Sequence, residues 1–91
     1  MSDPKHSWVD QKKLIERAKK VEGQAAAVCR MIEEDRHCSE ILQQVAALNS
    51  AAQRLAVLLL EDHVEARIQE GAVGEAIAGE MGTLIGRILK I

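Results

Sequence analysis

One stretch of this 91-residue chain, residues 38–67, constrains its fold most strongly. The stretch contains neither glycine nor proline and is rich in good helix formers. Apolar side chains recur in it at alternating steps of four and three residues, at Ile41, Val45, Leu48, Ala52, Leu55 and Leu59. This spacing is typical of one face of an α-helix. It predicts a helix over about 38–69, roughly 40 Å long at ~1.5 Å per residue.

A cysteine opens this helix and a histidine stands near its end, at Cys38 and His63, 25 positions apart. At about 100° per residue the two side chains share one face, yet roughly 37 Å of helix separates them. A second copy running antiparallel, with a two-fold axis near Ser50 and Ala51, would place Cys38 of one chain beside His63 of the other. The pattern therefore favours an antiparallel homodimer with composite Cys–His sites. A long core helix with an unrelated cysteine and histidine is the alternative.

Composition points to burial between chains. Hydrophobic residues make up 47% of the sequence, but Trp8 is the only aromatic one. Since 91 residues form one small domain, a monomeric core without Phe or Tyr would be thin, which favours helix pairing between chains. The two cysteines do not suggest a disulfide framework, and we see no secretory or membrane-spanning segment. We expect a cytoplasmic protein with reduced thiols and no membrane partner.

Two further helices and an arm complete the predicted single domain, 1–91. Residues 1–8 are predicted to form a flexible arm that carries His6. A helix over about 9–34 has an apolar seam, and we expect Cys29 beside it to be a small buried residue. Asp35 or Ser39 is the expected cap of the helix over about 38–69. A third helix over about 75–91 is rich in glycine, so docking must hold it in place.

The net charge is −2, but basic residues collect on the first helix. Lys13, Arg17 and Lys20 follow one stripe at steps of four and three, and Arg54 lies off the seam of the long helix. Such a stripe is usually a solvated helix face. In a symmetric oligomer it repeats and becomes an extended basic surface suited to a phosphate backbone.

Three segments resemble the CsoR/RcnR/FrmR family of small all-α repressors that sense copper, nickel or cobalt, or formaldehyde. They are VEGQ at 21–24, MIEEDRHCSEILQQVAAL at 31–48 and LLLEDHVEA at 58–66, and the resemblance covers nearly the whole chain. It implies an all-α fold, an antiparallel dimer that pairs into a homotetramer, and operator DNA as the partner. The DNA-contacting arginines of the family match Arg17 and Arg54.

The resemblance also implies a sensing site. Its thiol matches Cys38, its partner-chain histidine matches His63, and its N-terminal histidine matches His6. The fourth position is Cys in copper sensors, His in nickel and cobalt sensors and Glu in formaldehyde sensors, but here it is Arg67. Arginine has no available lone pair, so it is not a metal ligand. His6, Cys38 and His63 still suit a three-ligand site for Cu, Zn, Co or Ni.

Several alternatives remain open at the level of the sequence. A formaldehyde-responsive repressor would use the Cys38 thiol and an amine of the arm, from Ser2 after loss of Met1 or from Lys5. A persulfide sensor ranks lowest, because Arg67 replaces the second cysteine. A helical metal-binding protein with no DNA role is a further possibility. An enzyme is not expected, since the chain has no phosphate loop, paired catalytic carboxylates or triad-like set.

Overall fold

The computed structural model describes residues 11–89, which form three α-helices and no strand. Helix α1 spans Gln11–Glu33, α2 spans Cys38–Gln69 and α3 spans Gly74–Leu89. The predicted all-α fold class is therefore confirmed. The predicted arm, with His6, lies outside the described residues. None of the described helices combines the length and apolarity needed to cross a membrane.

Helix α1 ends in a Schellman motif. The Arg36 N–H donates to the Met31 carbonyl over 2.9 Å, and the Asp35 N–H donates to the Ile32 carbonyl over 3.0 Å. These two bonds satisfy carbonyls that the end of a helix leaves without partners. Asp35 supplies the left-handed conformation that the motif requires, with φ of 57°. The polar turn between α1 and α2 is thereby held to a few residues.

Neither Asp35 nor Ser39 caps α2, contrary to the expectation from sequence. The cap is His37, whose carbonyl accepts the first helical bonds from Glu40 and Ile41. Its ring Nδ1 accepts from the Ser39 N–H over 3.2 Å and lies 2.9 Å from the Ser39 hydroxyl. The prediction failed because Asp35 is committed to the end of α1, and because an imidazole nitrogen takes the place of the usual oxygen acceptor.

Helix α2 ends in the same motif as α1. The Gly71 N–H donates to the Ile68 carbonyl and the Ala72 N–H to the Arg67 carbonyl, over 2.9 and 3.0 Å. Gly71 has φ of 84°, a conformation that glycine adopts without the penalty of a Cβ. The chain then starts α3 within three residues, where the Ile77 N–H donates to the Val73 carbonyl.

The described chain contains two compact parts, residues 11–55 and residues 56–89, and the division falls inside α2. The first part contains α1 and the first half of α2, and its buried apolar residues are Leu14 and Ala51. The second contains the rest of α2 and α3, with Ala66 and the carboxylate residue Asp62 buried. Each of the two parts therefore buries only a few of its side chains.

Many large apolar side chains of the described residues are exposed instead. Ten are 40% exposed or more: Ile15, Ile32, Leu42, Val45, Val57, Leu59, Ile68, Val73, Ile85 and Leu89. Soluble monomers rarely display so much large apolar surface relative to their buried core. The protomer therefore presents apolar helix faces that it does not cover itself.

Candidate functional site

Cys38 is the first residue of α2, directly after the His37 cap, and its thiol is exposed. A thiolate is the form of cysteine that binds metals and attacks electrophiles. The sequence thus positions an accessible sulfur atom at a place suited to either chemistry.

Cys29 is exposed as well, so the expectation that it is buried is wrong for the protomer. It lies one position beyond the half-buried Val28 on α1, and that step of about 100° turns it away from the covered face. Exposure alone therefore does not distinguish the two cysteines. Their places do, since Cys38 begins a helix whereas Cys29 lies within one.

His63 is half-buried near the end of α2 and contacts α3. Its Nε2 lies 3.0 Å from Oε1 of Glu80, within residues 56–89. A carboxylate acceptor at Nε2 fixes the ring orientation and leaves Nδ1 as the nitrogen free to take a ligand. Sequence reasoning did not identify Glu80, because it lies 17 positions from His63 on another helix. No local spacing rule connects the two residues.

Arg67 stands one helical turn after His63 and is bound to the same carboxylate. Its Nε donates to Glu80 Oε1 and its Nη2 pairs with Glu80 Oε2, each over 2.9 Å. Its Nη1 donates to Glu70 Oε1 over 2.7 Å. The pair with Glu80 is a two-pronged ion pair, the geometry in which arginine binds a carboxylate most firmly. The Arg67 side chain, at the fourth sensing position, therefore links α2 to α3.

Titration of this cluster follows from its contacts. The hydrogen bond to His63, followed by the one to Arg67, holds the pKa of Glu80 below its usual value. The hydrogen bonds to Glu80 and Glu70 raise the pKa of Arg67 above its usual value. Both shifts favour the charged forms, so Glu80 is an anion and Arg67 a cation at neutral pH.

The face of α2 that carries Cys38 and His63 is a regular stripe. Steps of four and three connect Cys38, Leu42, Val45, Asn49, Ala52, Ala56, Leu59 and His63. We call these eight residues the Cys38–His63 stripe. All are exposed except Ala56 and His63, which are half-buried. A 3.5-residue average repeat of this kind is the pattern with which helices pair in coiled coils.

The structure also refines the predicted seam of α2. Ile41, Leu48 and Leu55 are half-buried, whereas Val45, Ala52 and Leu59 are exposed. The six residues thus belong to two neighbouring faces, one covered within the protomer and one on the Cys38–His63 stripe. A four-three repeat cannot separate these faces, because both satisfy it.

Within residues 11–89, no group of three or more His, Cys, Asp or Glu side chains is placed to hold a metal ion. Cys38 and His63 lie 25 positions apart on the one continuous helix α2, and His6 is outside the described residues. The ligand types fit a soft or borderline transition metal, one thiolate with imidazole. A complete ligand set requires donors beyond those that one described chain brings together.

The predicted DNA-binding residues all lie on helices. Lys13, Lys20 and Arg54 are exposed, and Arg17 is half-buried. Exposure leaves the Lys20 and Arg54 side chains accessible to a phosphate backbone in the protomer. Arg17, at the centre of the basic stripe of α1, keeps part of its surface accessible.

Comparison with known proteins gives the same family over almost all of the chain. The family model for metal-sensitive transcriptional repressors matches residues 10–90. The chain is 34% identical over 91 residues to the copper-sensing transcriptional repressor RicR of Mycobacterium tuberculosis, covering 93% of this chain and 95% of that protein.

Two further relatives match shorter segments. The copper-sensing transcriptional repressor CsoR of Bacillus subtilis is 42% identical over 50 residues, 55% of this chain and 50% of that protein. The transcriptional repressor RcnR of Escherichia coli K12 is 35% identical over 63 residues, 69% of this chain and 70% of that protein. These relatives are repressors rather than enzymes. The chain belongs to the family of metal-sensitive transcriptional repressors.

Proposed function

We propose that this protein is a cytoplasmic repressor that releases operator DNA when a transition-metal ion binds Cys38 of one chain and His63 of a partner chain. The Cys38–His63 stripe is the observation that carries the proposal. It is an accessible, regularly spaced helix face with one candidate ligand at each end. The family and its copper-sensing relatives support the effector class.

An antiparallel second copy explains why both ligands belong to one stripe. Its two-fold axis passes near the small residues Asn49 and Ala52, where helices can approach closely. The apolar stripe residues Leu42, Val45 and Leu59 would then be buried against the stripe of the other chain, with Leu42 of one chain beside Leu59 of the other. Pairing of two such dimers gives the proposed homotetramer and repeats the basic stripe of α1 across its surface.

The donor atoms of the site suit a transition metal. Cys38 supplies a thiolate and His63 supplies Nδ1, because Glu80 engages its Nε2. The second imidazole is His6 of the arm. A thiolate with imidazoles is compatible by ligand type with copper, zinc or cobalt, and copper is the metal named for two of the relatives.

The DNA surface is proposed to consist of Lys13, Arg17, Lys20 and Arg54. With no Phe or Tyr in the chain, base stacking on those rings is not available, and affinity comes mainly from phosphates. Sequence preference then depends largely on groove shape and deformability. Metal binding would tie the arm to the dimer core and shift α1 against the operator. The expected coupling free energy is on the order of 1–3 kcal/mol.

A gel-shift titration with the promoter region of the protein's own gene tests the proposal. We expect the reduced wild-type protein to bind the DNA and to release it on addition of Cu(I). Cys38→Ala should bind DNA but fail to release it, since an exposed residue at a helix start contributes little to folding. Cys29→Ala is the matched control, an equally exposed cysteine, and should respond like the wild type. A response that requires Cys29 and not Cys38 would contradict the site.

Formaldehyde is the second candidate effector. The observation that favours it is the exposed Cys38 thiol, together with Arg67 at the fourth sensing position, which offers no metal ligand. A one-carbon bridge between Cys38 and an amine of the arm, detected by intact mass after formaldehyde treatment together with DNA release, would replace the metal in the proposal. If the protein binds metal but does not bind the promoter DNA, the result would instead support the alternative of a helical metal-binding protein that has no role in DNA binding.

A further inference from the structure

The side chain of Gln24 carries a hydrogen-bond acceptor that no donor among the described residues satisfies. Its Oε1 atom is buried and accepts no hydrogen bond, while the residue as a whole is half-buried on α1. Buried amide oxygens normally have a donor, because an acceptor that is removed from water without one costs free energy. A donor from another molecule would therefore complete what the protomer leaves unsatisfied.

Gln24 continues the basic stripe of α1. It follows Lys20 by four positions, so the steps of four and three that connect Lys13, Arg17 and Lys20 extend to it. The positive charge of α1 is concentrated just before it, since residues 11–20 contain five basic side chains and one acidic one. Residues 21–33 contain one basic and two acidic side chains. Gln24 is thus the uncharged polar end of a cationic surface.

A DNA duplex is a better source of the donor than a second copy of the chain. Arg54, the α2 residue of the proposed DNA surface, follows Ala52 of the Cys38–His63 stripe by two positions, or about 200°. The proposed DNA surface and the proposed pairing surface therefore lie on different sides of α2. Within a DNA duplex, phosphates and deoxyriboses offer only acceptors, and the donors are amino groups on the base edges. An acceptor on this surface therefore matches a base rather than the backbone.

We propose that Gln24 reads an adenine of the operator directly in the major groove, with its amide turned outward from α1. The inference rests on the proposed function and names the group that gives the same DNA surface a sequence preference of its own. A glutamine amide pairs with adenine through two hydrogen bonds, since Nε2 donates to N7 and Oε1 accepts from the N6 amino group. The neighbouring cations bind phosphates, which fix the register but carry no sequence information. Gln24 adds a direct base contact to the recognition of groove shape.

The test compares promoter DNA with a scrambled duplex of the same length and composition, using the full-length reduced protein without added metal. Gln24→Met keeps the side-chain length and the helix propensity but removes the amide. It should weaken binding to promoter DNA roughly 5- to 150-fold, the range for one bidentate base contact. Its affinity for the scrambled duplex and its salt slope should stay unchanged, whereas Arg17→Ala should weaken binding to both duplexes. Gln53→Met, which alters an exposed glutamine on α2, is the control and should change neither affinity.

Base substitution in the promoter fragment identifies the partner of Gln24. Replacing each A·T pair in turn by G·C should reveal a position at which the wild type loses affinity and Gln24→Met, which already lacks the contact, loses none. The absence of any such position would overturn the proposal.

Thermal midpoints and light scattering test a structural role for the same side chain. The midpoint of Gln24→Met should equal or exceed that of the wild type, because the variant lacks the unsatisfied buried acceptor. A lower midpoint with equal losses of affinity for both duplexes would overturn the proposal in favour of a role in folding. A smaller assembly mass in Gln24→Met would overturn it in favour of a donor from a partner chain.

The gel shift with Cu(I) separates this inference from the proposed function. A wild type that prefers the promoter but is not released by Cu(I) would refute the proposed function, while a promoter-specific loss in Gln24→Met would still support the role of Gln24. Release by Cu(I), with the promoter preference intact in Gln24→Met, would refute the role of Gln24 alone. Equal binding of both duplexes by the wild type would also overturn the inference, since no base would then be read.

Discussion

At the scale of single residues, the two long helices end with the same hydrogen bonds but with different residues in the left-handed conformation. Asp35 has φ of 57° after α1, and Gly71 has φ of 84° after α2. An L-residue in this region places its Cβ close to a backbone oxygen, at a cost that aspartate reduces but does not abolish. The α1 turn therefore stores strain that the α2 turn does not.

Asp35→Gly and Gly71→Ala are accordingly expected to have opposite effects. Asp35→Gly should stabilise the protein by up to about 1 kcal/mol, because the strain is relieved. Gly71→Ala should destabilise it by about 1 kcal/mol through backbone strain alone, since an added Cβ would meet nothing within 4 Å. Thermal midpoints at one fixed protein concentration measure both, with roughly 4–8 °C expected per kcal/mol. A loss of stability in Asp35→Gly would show that the Asp35 side chain contributes more than its conformation costs.

Residue-scale prediction from sequence succeeded where the signal is local. The end of α2 is an example, because Gly71 follows an uninterrupted run of helix formers and marks the stop. The prediction failed for the cap of α2, since His37 is an unusual capping residue. It failed for the burial of Cys29, since a shift of one position changes the direction in which a helical side chain points. It failed also for Glu80, whose contacts depend on how α3 returns along α2.

At the scale of elements, the cluster of His63, Arg67 and Glu80 joins α3 to the end of α2. Helix α3 contains Gly79, Gly82 and Gly86, and glycine costs about 1 kcal/mol per position in a helix relative to alanine. Apolar contact along α3 is modest, as none of its described residues is fully buried. The ion pair is therefore the polar attachment that supplements packing at this junction.

The attachment should weaken in acid. The pKa of Glu80 is held below its usual value by His63 and Arg67. The charged form of Glu80 therefore stabilises the folded protein. This stabilisation is complete above the pKa of a glutamate in the unfolded chain, and it is lost as the pH falls through the lowered pKa of Glu80. We expect Glu80→Gln to lower the thermal midpoint at pH 7, and we expect its difference from the wild type to disappear as the pH falls through the lowered pKa of Glu80. Glu65→Gln, an exposed glutamate on α2, is the control. A midpoint difference that persists unchanged in acid would contradict this role.

At the scale of the whole molecule, the described protomer buries three apolar residues and exposes ten large ones. Folding free energy comes mainly from apolar burial, so we expect a protomer of this kind to gain much of its stability from association. The shortage of aromatic residues in the sequence leads to the same expectation. It could not assign which face is covered within the protomer, because two faces of α2 share the same repeat.

Light scattering tests the proposed assembly. The wild type should have a mass about four times the 10.0 kDa of one chain at micromolar concentration. Ala52→Glu puts a charge in the middle of the Cys38–His63 stripe, beside its own symmetry mate, and should dissociate the dimer. Gln53→Glu places the same charge on the neighbouring exposed position and should leave the assembly intact. A monomeric wild type, or an intact assembly in Ala52→Glu, would contradict pairing through the stripe.

The basic surface predicts a steep salt dependence of DNA binding. Each phosphate neutralised should contribute roughly 0.9 to the slope of log affinity against log salt. Arg17→Ala and Arg54→Ala should each weaken binding and reduce that slope without changing metal affinity of the free protein. Arg30→Ala, an exposed arginine outside the stripe of α1, is the control. Unchanged affinity and slope in both variants would exclude the proposed surface.

The small core of the protomer has a consequence for how much repressor a cell must hold. When folding is linked to association, dilution shifts the equilibrium toward single chains whose ten exposed large apolar side chains make them targets for proteolysis. Below a threshold copy number the protein would be degraded, and its concentration would fall by more than dilution alone explains. Occupancy of the operator would then fall abruptly with supply, so the rate of synthesis would influence repression independently of the effector.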